Sequence, residues 1–400
     1  MRSGIIILWA WLIPMAAAAG SVLPALSYQQ QPLSIQGRTY SVQVPVGYRL
    51  ELLTAALAEP RMLQFASNGD LFIGSKSGNV YRLPPPYTDA TVLVQLSDYP
   101  HSVAFRAGEI LIAQNHGLYR AAYQPGQRQI GRHDVQLLAS LPGGRGHSSR
   151  TVAVGPDGRV YVSLGISGNC SDEYLGPDYD FGRQRGGVLV LDETGARLGW
   201  KVFASGLRNP VGFAWHPQTR VMYATNNGPD HQGFDLPPEY FSRIEAGSFH
   251  GMPWFQFDGN RLHRDDCVSS SPPRPITAVT TPAVTFPARN APMAVAFVTP
   301  GALDERLTGD ALVALRGSWG TRPKGQYWGE ASSRRPPGIA VVRFDNGSAR
   351  RVENLISGFQ LADGERWARP VGVAIGPDGA VYFTSDSGIN GLFRLRRDKP

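Results

Sequence analysis

Helical periodicity is missing from this chain. No long stretch repeats apolar residues at a spacing of 3.6, which excludes a helical bundle and leaves helices few and short. Cysteine is scarce: Cys170 and Cys267 are the only two. Their spacing carries no zinc signature; they fit one disulfide in an oxidising compartment, with two buried thiols as the alternative. No proline-rich or charged linker divides the chain, so nothing marks a boundary between large domains. The net charge is +7, from 39 basic and 32 acidic residues, but the basic residues form no stripe. That excludes a nucleic-acid interface, while a small anionic ligand accounts for the balance equally well. A long apolar run occurs only at the start, from Ile5 to Met15. Preceded by Arg2 and followed by Ala16–Ala19, it reads as a secretory signal peptide over residues 1–19, with an uncleaved anchor as the alternative. The chain is then periplasmic or secreted, with no stable membrane span after cleavage.

What is present is a β protein rich in turns. Glycine (46) and proline (32) are abundant while apolar residues still reach 42%, a balance that suits a folded chain rather than a disordered one. After an extended N-terminal segment (residues 20–59), expected to lie over the outside of the fold, one pattern recurs six times. Segments 62–83, 102–121, 151–168, 213–228, 294–320 and 371–395 each read as apolar strand, turn and second strand, most of them running on to a further turn and strand. Asn68-Gly69, Asp157-Gly158 and Asp378-Gly379 supply the plainest hairpin turns. Repetition of an all-β unit predicts a six-bladed β-propeller over residues 60–397, with a sandwich or several domains as the alternatives. Insertions at 169–186, 230–267 and 316–337 lengthen the repeat and hold most residues capable of chemistry. Long loops gathered on one side of a rigid scaffold mark a site.

His147, in GGRGHSSR, is a candidate general base, because imidazole accepts a proton near neutral pH. Arg208 and Asn209 follow a turn and precede the first strand of a repeat, which places them at a blade's rim. Arginine there offers a planar fork to carboxylates or carbonyl oxygens. Asp230, Asp235 and Glu239, with the backbone of Gly228-Pro229, supply oxygen donors of the kind calcium takes, without the spacing of a calcium hand. Arg316, Arg322, Lys324, Arg366, Trp367 and Arg369 place cations beside an aromatic in neighbouring loops, a clamp for a flat anion. Each taken singly also fits an ordinary surface or structural role.

Five segments in order, GHSSRTVAVGPDGRVYVSLG, ASGLRNPVGFAWHP, NNGPDHQGFDLPPEYFSRIEAGSFHGMPW, RGSWGTR and ARPVGVAIGPDG, resemble the pyrroloquinoline-quinone (PQQ)-dependent sugar dehydrogenases. This group includes soluble glucose, aldose sugar and sorbosone-type enzymes, and the resemblance runs from about Pro60 to Leu395. It implies a six-bladed propeller that oxidises an aldose or related sugar with PQQ and calcium, and passes electrons to an acceptor such as a quinone or cytochrome. By the same resemblance His147 takes the sugar hydroxyl proton while hydride leaves for the quinone, Arg208 polarises a quinone carbonyl, and Asn209 holds a neighbouring oxygen. Gly228 and Pro229 carbonyls bind calcium, and Arg316, Trp367 and Arg369 grip the cofactor carboxylates. Three positions depart from the pattern: Arg316 stands where a lysine is expected on the penultimate blade, and two others differ as well. Ile166 stands where the glucose dehydrogenases carry an acidic residue supporting the histidine, and Gly372 stands where Asp commonly follows Arg-Pro-Val. A carbohydrate- or protein-binding propeller without activity, and a metal-dependent propeller lactonase, are the rival readings.

Overall fold

The computed structural model describes residues 25–195 and 198–398; the expected signal peptide lies outside the described residues. Six small sheets, antiparallel except where Ser248–Phe249 joins the third in parallel, form in chain order the six blades of a propeller, as the repeats predict. Their innermost strands are Pro60–Phe65, Ser102–Arg106, Val152–Val154, Phe213–Trp215, Pro292–Phe297 and Ala368–Ile375. Among the described residues, helical structure is limited to 3-10 turns.

Alternation within the strands explains the packing. In Leu312, Ala314, Ile339, Val341, Val371 and Val373 the apolar side chains of successive blades meet face to face, forming the cores between sheets. Hydroxyl groups then stitch blade to blade. Ser102 Oγ donates to Arg150 O, Thr151 Oγ1 to Val211 O, Thr225 Oγ1 to Met293 O and Thr384 Oγ1 to Arg61 O, at 2.5–2.8 Å. The last of these joins the sixth blade to the first and accounts for Gly372. A Cβ on Gly372 would lie 2.6 Å from Arg61 O and 2.9 Å from Thr384 Oγ1, so no aspartate fits there.

The N-terminal segment does more than cover the outside. Tyr48–Thr54 is the outer strand of the sixth blade, paired antiparallel with Gly391–Arg397. Glu51 accepts hydrogen bonds from Arg394 (2.9 Å) and Arg396 (2.6 Å) across that pair. The propeller therefore includes part of the segment that the sequence reading set before it. The hairpin Tyr28–Ile35 with Arg38–Pro45 docks beside the fifth blade, where Gln43 N donates to Ser357 O at 3.0 Å.

In each blade the inner strand begins, and the second strand ends, at the same end of the ring. Residues just before the inner strands and just after the second strands therefore converge there. The opposite end of the central channel is apolar, lined by Phe65, Ala153, Phe213, Phe297 and Ile375 among others.

Candidate active site

A cavity of about 480 Å³ opens at the convergent end, with residues from all six blades in its wall. It brings together His147, Arg208, Asn209, Gly228, Asp230, Glu239, Arg316 and Arg369 from the sequence candidates, and adds Arg61, Lys76, Tyr99, Trp319 and Tyr327.

His147 is held from both sides. Its Nδ1 lies 2.6 Å from Ile166 O and its backbone N–H donates to the same oxygen at 3.2 Å. A carbonyl only accepts, so Nδ1 carries the hydrogen and Nε2 keeps its lone pair. Ile166 thus supports the histidine through its backbone, at the position where the sequence resemblance leads one to expect an acidic side chain. Gly165 permits the approach: a Cβ there would sit 2.4 Å from His147 Cβ and 2.6 Å from Asn209 Oδ1. From behind, Arg150 Nη1 (2.8 Å) and Arg185 Nη2 (3.0 Å) both donate to His147 O. The two guanidiniums are fully buried, and their other hydrogen bonds go to the carbonyls of Ser149, Pro142, Gly165, Gly143 and Arg145, never to a carboxylate. Burial first, then the charge of Arg208 with Arg185 and Arg150, lowers the His147 pKa to about 3. The ring is neutral at physiological pH.

Arg208 is likewise buried without a carboxylate among its hydrogen bonds. Nε donates to Asn169 O (2.7 Å), Nη2 to Asn169 Oδ1 (3.0 Å) and Nη1 to Asn227 O (3.3 Å). Asn169 Oδ1 also accepts from Asp230 N at 2.8 Å, so one side chain ties the insertion of the third blade to that of the fourth. The neighbouring residue, Cys170, forms a disulfide with Cys267, with a Cα–Cα distance of 6.0 Å. Asn209 Nδ2 donates to Asn227 Oδ1 at 3.2 Å, while its Oδ1 is buried and has no protein partner.

Across the cavity, Asp386 is shared by Arg61 Nη1 (2.5 Å) and Arg316 Nε (2.8 Å). Burial pushes the Asp386 carboxyl up, but the two arginine charges overcome this and hold it below its usual range. Lys76 has its pKa lowered by burial and by Arg61, and makes no ion pair. Arg369 donates through Nε to Arg316 O (3.0 Å) and through Nη2 to Gly317 O; burial, with Arg316 and Arg366, lowers its pKa to about 9. The Tyr99 hydroxyl is buried beside Arg61, and burial pushes its pKa up to about 12 against that arginine's charge.

Acidic groups collect at one corner. Glu239 is 3% exposed; its Oε2 accepts from Gly228 N (2.6 Å) and its Oε1 from Arg289 N (2.9 Å). Burial raises its pKa to about 7, against the Gly228 N–H and the arginines. Asp230 faces Arg289 Nη1 at 3.0 Å.

Several candidates fall elsewhere. Trp367 is buried outside the cavity: its ring stacks on Tyr40 of the N-terminal hairpin at 4.4 Å, and Nε1 donates to Gly358 O at 2.7 Å. The N-terminal hairpin covers that face of the ring. Pro229 is absent from the wall, and its carbonyl accepts from Arg289 Nη1 at 2.6 Å. Asp235 lies outside, paired with Arg335 (2.7 Å) and Arg322 (3.5 Å). Arg366 binds the carbonyls of Ser318 and Arg335, and Lys324 is exposed beyond the rim.

In chemical terms the cavity combines a neutral base, three cations without ion pairs (Lys76, Arg208 and Arg369) and a corner of oxygen donors. The TrAA12-like family model matches residues 42–235. The resemblance read from the sequence is borne out in the fold as well. The PQQ domain of a pyranose dehydrogenase from Coprinopsis cinerea, in its holo form, superimposes with a TM-score of 0.69 at 19% identity, covering 90% of this chain and 97% of that one. A calcium structure of a Trichoderma reesei Carbohydrate-Active Enzymes Family AA12 protein gives 0.73 at 17% identity, covering 94% and 100%. An uncharacterized protein of Borreliella burgdorferi is 24% identical over 377 residues, 90% of this chain and 92% of its own length.

Proposed function

We propose that this protein is an exported, PQQ- and calcium-dependent dehydrogenase that oxidises an aldose or related sugar and delivers the electrons to a separate acceptor. The observation that carries this reading is the pairing of a neutral, tautomer-fixed histidine with a wall of uncompensated cations in one cavity. The residues fit the group. A flat anion bearing several carboxylates answers Lys76, Arg369 and Arg208, and a polar ligand would satisfy the orphaned Asn209 Oδ1. Glu239 and Asp230, with the Gly228 backbone, offer hard oxygen donors to a divalent cation.

When bound, PQQ supplies the two-electron oxidant that takes hydride from the sugar carbon, and calcium polarises it. The chain's own part is positioning and proton transfer. His147 Nε2 accepts the proton of the sugar hydroxyl as the C–H bond breaks, and Ile166 O stabilises the imidazolium formed through the Nδ1–H bond. Arg208, fixed by Asn169, presents positive charge where negative charge grows, with no carboxylate of its own to quench it. Arg316 and Arg369 would hold the anionic edge of the cofactor, Arg316 while sharing Asp386 with Arg61.

Titrating the purified protein with PQQ and calcium tests this. The expected result is a saturable absorbance change and sugar-dependent reduction of a dye; absence of binding at micromolar PQQ ends the reading. His147→Ala should leave cofactor binding intact and lower turnover by roughly 10²–10⁴-fold. Unchanged turnover would remove His147 from its role.

A further inference from the structure

The loop that follows the second strand of the fifth blade turns back on itself and is fastened at many points. Thr321, fully buried, accepts Gly325 N on its carbonyl (2.7 Å) and Gly329 N on its hydroxyl (2.9 Å), and its own N–H donates to Gln326 O (3.2 Å). Arg322 N donates to Ser333 Oγ at 2.7 Å. The loop also rests on the fourth blade's insertion, where Arg322 and Arg335 lie over the Phe234 ring at 5.0 and 4.5 Å. This rigid support presents aromatic rings to water. Trp319 and Tyr327, both in the cavity wall, stack at 4.5 Å with planes 13° apart, and Trp328 follows at 6.5 Å. Tyr327 and Trp328 are 63% and 82% exposed, the most exposed large apolar side chains among the described residues. The Trp328 ring is oriented by its Nε1–H, which donates to Gln326 Oε1 at 2.8 Å.

We infer that Trp328, with the outer edge of Tyr327, is a subsite for a second sugar unit, so that the substrate is an oligosaccharide oxidised at the terminal unit inside the cavity. This rests on the dehydrogenase reading for the reaction, but not for the binding. The occupant follows from volume and chemistry. A cavity of about 480 Å³ is near the lower end of the roughly 300–1,000 Å³ of ligand pockets. A tricyclic quinone and one sugar ring fill it. Any further unit of the same substrate must cross the rim, and the aromatic shelf stands there. A sugar ring has a face of C–H groups and an edge of hydroxyls, so it stacks on an indole while its hydroxyls stay in water. Fastening the loop beforehand removes the entropy cost of ordering it on binding.

The test compares glucose with β-1,4- and α-1,4-linked glucose trisaccharides, on the wild type and on W328A and W328F. Trp328 touches no core, so its removal leaves the fold intact. With PQQ and calcium loaded, W328A should raise KM for a trisaccharide by about three- to tenfold, with kcat and the glucose parameters within twofold. W328F should recover most of the loss. Calorimetric titration of both proteins with the trisaccharides, no cofactor added, reads the same contact without turnover. If no sugar is oxidised but a trisaccharide binds the wild type more tightly than W328A, the dehydrogenase reading fails and the subsite stands. Equal trisaccharide binding by wild type and W328A overturns the subsite. So does a W328A defect of equal size on glucose and trisaccharide, which would put Trp328 at the electron acceptor's contact instead.

Discussion

Burial, more than any one neighbour, keeps His147 neutral, and the charges of Arg208, Arg185 and Arg150 add to it. Two permanent cations buried beside His147, with Arg208 in front, make a second positive charge there costly. The folded pKa of about 3 lies below the ordinary histidine value near 6.5. Between those values the unfolded chain binds the proton and the folded one does not, so stability is full above pH 6.5 and falls as the pH drops toward 3. His250, lowered to about 4 by burial, adds a loss in the same direction. His147→Gln should therefore show a shallower fall in Tm between pH 6.5 and pH 4 than the wild type; parallel curves would mean the ring is not held neutral. Arg185→Lys should cost turnover more than cofactor affinity, because an ammonium cannot span the carbonyls of Gly165, Arg145 and His147 that the fork reaches. Separate kcat and quinone-binding measurements check this. His147, Arg208 and Asn209 were legible because each stands in a compact motif. Arg61, Tyr99 and the two scaffold arginines were not: their meaning depends on which distant carbonyls and carboxylates the ring brings to them, as Asp386 is brought to Arg61.

At the scale of elements, the insertions are braces more than lids. The third blade's insertion carries Asn169 and Cys170, and the fourth blade's carries Asp230 and Cys267; the disulfide and Asn169 Oδ1 tie them together directly behind Arg208. The bridge spans 97 residues of sequence, and removing such a bond costs roughly 2–5 kcal/mol. The double variant Cys170→Ser/Cys267→Ser should melt at lower temperature, and at a temperature where it remains folded it should still show reduced kcat. Full kcat in the folded double variant would confine the disulfide to stability. The insertions do bring Asp230, Glu239 and Arg316 to the cavity, as their composition suggests, whereas Trp367 lies outside it. Its neighbour Arg369 does reach the cavity, and nothing near Trp367 in the sequence announces Tyr40, more than three hundred residues earlier, as its stacking partner.

The whole ring was legible in outline because each blade announces itself locally, through alternating strands joined by a turn, which is Asn-Gly or Asp-Gly in the first, third and sixth. Closure was not, since Tyr48–Thr54 is an ordinary strand whose partners lie at the other end of the chain. Removing residues 25–54 should leave the sixth blade three-stranded and expose the edge of Gly391–Arg397, an invitation to aggregation. The expected outcome is loss of the cooperative melt seen by circular dichroism; a soluble, cooperatively folding fragment would show that the other five blades suffice. That closure also sets a timetable. The first blade-forming strand to be synthesised waits for the three strands between Ala368 and Arg397, so no nascent chain can complete the circle until Gly391–Arg397 has left the ribosome. Thr384 and Gly372 in the last blade meet Arg61 in the first only then, and the cavity, with Arg61 in one wall and Arg369 in another, becomes whole in the same event. A chain stalled before Gly391 therefore carries an open cavity, and the ligand site becomes whole only when the ring closes.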